Sequence, residues 1–154
     1  KDITIEEALT ACEIIKKSGI ELQAFFIAGF PQETESSLSR TVTAMKKVKC
    51  SLLVFNTFTP YPGTEAFELC RKEGMIEDDY DVSLYNHHSP DNYYCSNIER
   101  EKFRILISEI RKTVDRKNKI NRIKKIFSGS TFRRIQELGI GKSLSKCRKV
   151  FIGR

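Results

Sequence analysis

The chain has 154 residues, of which 40% are hydrophobic and 31% charged, a balance that excludes disordered and fibrous classes. Its longest apolar run, Ala24 to Phe30, has seven residues and is too short to span a bilayer. The net charge of +7 is divided, with 9 Lys/Arg against 15 Asp/Glu in residues 1–97 and 18 against 5 in residues 98–154, so −6 becomes +13. A basic balance across a whole chain points to nucleic acid, but one confined to the last third says little about the first two thirds.

Thr4 and Glu7 have the spacing of a capping box, and Ile5, Ala8, Leu9, Cys12 and Ile15 recur at helical spacing. Lys16 and Lys17 suit the negative end of the helix dipole, and Gly19 supplies a left-handed stop, which predicts a helix over 4–18. Leu22 to Ala28 is short, nearly all apolar and ends at Gly29, as a parallel strand covered on both faces would. Caps at Thr34 to Ser37 open a second helix, with Leu38, Val42 and Met45 on one face and Lys46, Lys47 and Lys49 at its end. A second strand is predicted over Leu52 to Phe58, stopped by Thr59-Pro60-Tyr61-Pro62-Gly63, and Thr64 caps a short helix that closes at Gly74.

The two strands start thirty residues apart with a helix between them, the length of a right-handed βαβ unit with parallel neighbours. Two parallel strands alone cannot make a closed or doubly covered sheet, and an apolar edge at Leu22–Ala28 would be left unpaired. The expectation is the C-terminal end of a larger α/β barrel or sheet, cut from a longer protein whose other strands lie upstream of Lys1. Such a piece is expected to be poorly soluble or to dimerise through that edge.

Residues 75–97 hold four of the five tyrosines, both histidines and five acids, without a Lys or Arg. The segment is either a lid over a functional end or a tail packing its rings on an outer surface. Ser96 and Glu99 form another capping box before a long helix, whose apolar stripe Phe103, Leu106, Ile107, Ile110, Val114 is interrupted over Asp115–Lys119 and resumes at Ile120. A shorter segment over 132–138 and a basic tail complete the chain. The basic third is a solvated helix face with Asp115 and Lys119 paired, a contact for RNA or another polyanion, or a membrane-surface element through Val150, Phe151 and Ile152 beside Lys146, Arg148 and Lys149. The corresponding divisions are 1–74, 75–97 and 98–154.

Cysteines 12, 50, 70, 95 and 147 include no C-x-x-C pair, so zinc and iron–sulfur spacings are absent. Their odd number argues for free thiols in a reducing, cytoplasmic compartment. Ligands in parallel α/β folds bind at the carboxyl ends of strands. Those ends are Ile27-Ala28-Gly29-Phe30-Pro31-Gln32-Glu33 and Phe58-Thr59-Pro60-Tyr61-Pro62-Gly63-Thr64. Neither offers a nucleophile–base pair or a metal triad, so they are either ordinary stiff turns or a cofactor cradle made largely of backbone. Glu33 is a candidate base, but a carboxylate in the first turn of a helix has a structural reason to be there. His87 and His88 are adjacent, and their side chains diverge in an extended segment, which disfavours one shared metal.

Read together, GIELQAFFIAGFPQETESSLSRT and FNTFTPYPGTEAF resemble the fifth and sixth β/α units of radical S-adenosylmethionine (radical SAM) enzymes. The resemblance is to the subgroup with a cobalamin-binding domain, which includes anaerobic magnesium-protoporphyrin monomethyl ester cyclase-like proteins and methylthiotransferase relatives. It covers residues 1 to about 115, and Ile27, Gly29 and Glu33 correspond to the family's I-x-G-x-x-E motif, with one more residue between Gly29 and Glu33 than that motif has. It implies an α/β fold, the last units of an incomplete (β/α)6 TIM-like barrel, followed by a helical extension. It also implies S-adenosylmethionine and a [4Fe-4S] cluster as cofactors, with cobalamin on a separate domain. The family's C-x-x-x-C-x-x-C cluster loop is absent, so the ligands would lie outside this chain and the chain alone would be inactive. What the resemblance leaves here is the adenine side of the cofactor site at Ile27, Gly29, Phe58 and Thr59, with no catalytic residue and no metal ligand. Tyr85 and His88 are the candidates for touching a small-molecule substrate. The remainder of the polypeptide is the implied partner, and RNA or a membrane surface is open through the basic tail.

Overall fold

The computed structural model describes residues 3–77, 81 and 92–127. Their order is α1 (Ile5–Lys17), β1 (Gln23–Ala28), α2 (Glu35–Lys47), β2 (Leu52–Thr57), α3 (Glu65–Lys72) and α4 (Arg100–Ile126). The fold is α/β, with a two-stranded parallel sheet and, among the described residues, four helices.

Local chemistry sets the boundaries. Glu7 N–H donates to Thr4 Oγ1 (3.2 Å) and Thr4 N–H to Glu7 Oε2 (2.8 Å), so the capping box that opens α1 is formed. Those bonds hold the Glu7 carboxyl below its ordinary pKa. At α2 the same exchange runs between Thr34 and Ser37, at 3.1 and 2.9 Å. Thr64 Oγ1 accepts from Phe67 N–H (3.2 Å) to open α3.

The register runs from Gln23↔Leu52 to Ala28↔Thr57, so partners share a face. One face carries Ala28, Leu53, Phe55 and Thr57, all buried, and packs against α2 and α4 through Leu38, Met45, Phe103, Ile107 and Ile110. The other carries Phe25 (67% exposed), Ile27 (51%) and Leu52 (39%), with Val54 and Asn56 half-buried. The expectation of a strand covered on both faces is therefore corrected: described residues cover β1 on one face only.

Three expectations about α4 are also corrected. It is one unbroken helix of 27 residues, with no interruption at Asp115–Lys119, and those two residues are not paired. The apolar stripe stops there because the helix reaches the amino end of β2, where backbone rather than side chains must be met. The Ser96–Glu99 box is not formed: Glu99 is the N-cap and makes no side-chain capping bond. Ser96 is used elsewhere, its N–H donating to Pro31 O at 3.0 Å.

Candidate functional site

The carboxyl ends of β1 and β2 lie side by side, and each is followed by a loop with a distinct closure. After β1 the chain turns at Gly29, whose φ of +100° favours glycine. A Cβ on Gly29 would stand 3.0 Å from Phe103 Cζ, so the loop rests directly on a ring of α4. Glu33 closes the turn. Its Oε2 accepts from Gly29 N–H (2.5 Å) and Phe30 N–H (3.3 Å), and its Oε1 from Ser37 Oγ (3.3 Å). A carboxylate bonded in this way holds backbone, and its two oxygens are engaged inside the loop.

After β2 the ladder continues one step, with Phe58 N–H donating to Ala28 O at 2.7 Å. Phe58 and Thr59 are then buried, at 8% and 6% exposure. Phe58 lies between Phe30 (centroids 4.8 Å apart) and Tyr94, which meets it edge-on at 5.9 Å. Thr59 Oγ1 accepts from Asn92 Nδ2 at 2.8 Å.

Asn92 and Tyr94 belong to a strap, residues 92–96, that crosses both loops. On the β1 side, besides the Ser96 bond to Pro31, Cys95 Sγ donates to Phe30 O at 3.4 Å. Burial, and then the charge of Glu33, push the Cys95 thiol up to about 12. Tyr93 sets its ring 5.5 Å from Phe103, donates its hydroxyl to Ile98 O, and lies 5.8 Å from the Arg100 guanidinium. Burial raises the Tyr93 phenol.

The four residues expected at the cofactor thus occupy two settings. Ile27 is exposed on the open face and Gly29 is buried at the turn, while the side chains of Phe58 and Thr59 are turned into the strap. Tyr85 and His88, with His87, lie outside the described residues. Sequence reasoning missed Asn92, Cys95, Ser96 and Phe103 as loop supports. It also missed Asn56, the register partner of Ile27. Asn56 Oδ1 is buried and makes no hydrogen bond among the described residues. An amide inside the apolar run LLVFNTF was the available signal. Among the described residues no three His, Cys, Asp or Glu side chains gather as metal ligands, and no helix is long and apolar enough to cross a membrane.

Part of the chain is similar in sequence to curated proteins. An uncharacterised methyltransferase of Pyrococcus horikoshii is 37% identical over 76 residues, 49% of this chain and 17% of the relative. A tRNA-2-methylthio-N(6)-dimethylallyladenosine synthase of Aquifex aeolicus is 38% identical over 78 residues, again 49% and 17%. The chain is similar to radical SAM enzymes. The anaerobic magnesium-protoporphyrin IX monomethyl ester cyclase of Rubrivivax gelatinosus extends the similarity, at 28% identity over 90 residues, 58% of this chain and 16% of the relative. The chain spans about one sixth of the length of these relatives. No family model matches it, and no solved structure does.

Proposed function

We propose that this chain is the C-terminal part of a radical SAM barrel and supplies the adenine side of the S-adenosylmethionine site. The observation that carries the reading is the pairing of an exposed Ile27 with the Gly29 turn at the carboxyl end of β1. Ile27 offers an apolar surface to one face of a planar ring, and Gly29 lets the backbone turn away without a side chain between. Asn56, beside Ile27 in register, adds an amide to that surface. Phe58 and Thr59 spend their side chains on the strap, so their part in holding the cofactor is through backbone. Glu33 acts by positioning the loop.

S-adenosylmethionine with a [4Fe-4S] cluster supplies radical chemistry in this family. The described residues fit the first of these and not the second, since they gather no ligand set. The cluster, and cobalamin where a protein of this kind uses it, belong to the rest of the polypeptide, which is the partner this chain requires.

The test is made in the full-length polypeptide under a low-potential reductant. Ile27→Asp sets a carboxylate against the ring, which lowers formation of 5′-deoxyadenosine about tenfold or more while the iron–sulfur absorbance is unchanged. Parental rates in that variant remove Ile27 from the site. A full-length parent that loads no cluster and cleaves no S-adenosylmethionine removes the radical SAM reading altogether.

A further inference from the structure

The sheet has two edges, and they are not equivalent. Leu52 and Phe58 direct their N–H groups at β1, meeting Leu22 O at 3.5 Å and Ala28 O at 2.7 Å. Backbone groups alternate along a strand, so the N–H and C=O of Leu53 point away from β1. One side chain takes both. Asn118 Oδ1 accepts from Leu53 N–H at 2.9 Å, and Asn118 Nδ2 donates to Leu53 O at 2.8 Å. A carboxamide carries the same donor and acceptor as a peptide group, and it makes with Leu53 the two bonds a neighbouring strand would make.

Its neighbours on α4 hold it there. Lys117 Nζ donates to Met45 O, to Val48 O at 2.6 Å and to Lys46 O at 3.1 Å, and Asn121 Nδ2 donates to Cys50 O at 2.9 Å. At the opposite edge, β1 has no neighbour other than β2 among the described residues, and Phe25 and Ile27 are exposed.

We infer that Asn118 ends the sheet at β2 by standing in for a further strand, which leaves β1 as the edge where the sheet accepts one. The partner that fits this edge is an extended segment from the remainder of the polypeptide, running parallel to β1, with apolar residues on the face of Phe25 and Ile27. Two observations select it: α4 occupies the far edge at Leu53, and the matched stretch covers only about one sixth of the length of the relatives. The role of Asn118 does not depend on the radical SAM reading, because it follows from hydrogen bonds alone.

Amide hydrogen exchange on this chain tests it. Asn118→Leu keeps the volume and removes both bonds, whereas Asn118→Asp keeps the acceptor for Leu53 N–H. In Asn118→Leu the Leu53 amide exchanges about tenfold or more faster, while the Phe58 amide, bonded to Ala28, keeps its rate. In Asn118→Asp the Leu53 amide stays protected. Sedimentation velocity reads the same asymmetry. One open edge closes on a second copy and stops at a dimer, whereas two open edges allow association without end. The parent therefore goes no further than a dimer, and Asn118→Leu forms larger species that grow with concentration. An unchanged Leu53 rate in folded Asn118→Leu overturns the inference, as does growth of the parent beyond a dimer. Should Asn118→Leu not fold, loss of Leu53 protection in folded Asn118→Asp overturns it instead.

Discussion

The two ends of the sheet are held by the same helix with opposite chemistry. At the carboxyl end, α4 presents the ring of Phe103 beneath Gly29, and the strap adds Tyr94 against Phe58. At the amino end, α4 presents an ammonium and two carboxamides to backbone carbonyls and to one N–H. An apolar support sets how close a loop lies but leaves its polar groups for other uses. A polar support consumes the backbone groups it touches. From α4 the carboxyl end, expected to meet a ligand, receives a ring, while Glu33, Cys95 and Ser96 bond its loop's polar groups; the amino end of β2 receives amides from α4 itself.

The largest expected effect sharpens the carboxyl half of that contrast. Phe103 is 1% exposed and touches the Gly29 turn. Phe103→Ala costs about 3–5 kcal/mol of stability, read from urea unfolding. Gly29→Ala costs about 2–4 kcal/mol, combining a left-handed φ with an overpacked contact. The two defects share one space, so the double variant loses less than the sum of the singles. Additive losses would mean that the ring and the turn do not press on each other, and the contrast between the ends would fail.

A smaller effect is expected at the amino end. Lys117 sits over three carbonyls at the end of α2, and burial lowers its pKa below the ordinary lysine value. The ordinary desolvation cost of a cation is offset here by the bonds it donates. Lys117→Met keeps the stem and removes the donors, and costs about 1–2 kcal/mol in the same unfolding measurement. A variant as stable as the parent would make the stem, not the ammonium, the contact that holds α4.

Much of this was legible in the sequence where the determinants are local. The helix predicted over 4–18 is observed over Ile5–Lys17, because Thr4, Glu7 and the lysines act within a few residues of each other. The parallel pair was legible from the thirty-residue spacing of two apolar runs. What was missed depends on contacts far apart in the chain. Cys95 with Phe30 and Asn118 with Leu53 are each 65 residues apart, and Lys117 with Met45 is 72. No periodicity encodes them. The gap in the apolar stripe of α4 reads as a break when helices are judged by their faces alone, yet it is the place where the helix changes partner from side chains to backbone. Of the expected site, Ile27 and Gly29 came from the resemblance to a family motif, with Glu33 beside them, while the strap that turns Phe58 and Thr59 inward was not visible.

The smallest effect concerns Cys95, and it separates a support from a reactive group. The thiol is buried on the underside of the strap, donates to Phe30 O, and is pushed up to about 12 by burial and then by Glu33. A raised folded-state value means that the native protein holds this proton more tightly than the unfolded chain does. Its contribution to stability is complete below the unfolded value of 9.0 and is lost as pH rises from there toward about 12. Between pH 7 and 8.5 the group therefore stays a thiol, and the thiolate is the nucleophile. Iodoacetamide at pH 8.5, followed by mass spectrometry, should label half-buried Cys12 well before Cys95 in the folded chain, and both alike in urea. Early labelling of Cys95 in the native chain would show the strap lifting from Phe30 and Pro31, and the carboxyl end would then be a moving cover rather than a fixed support.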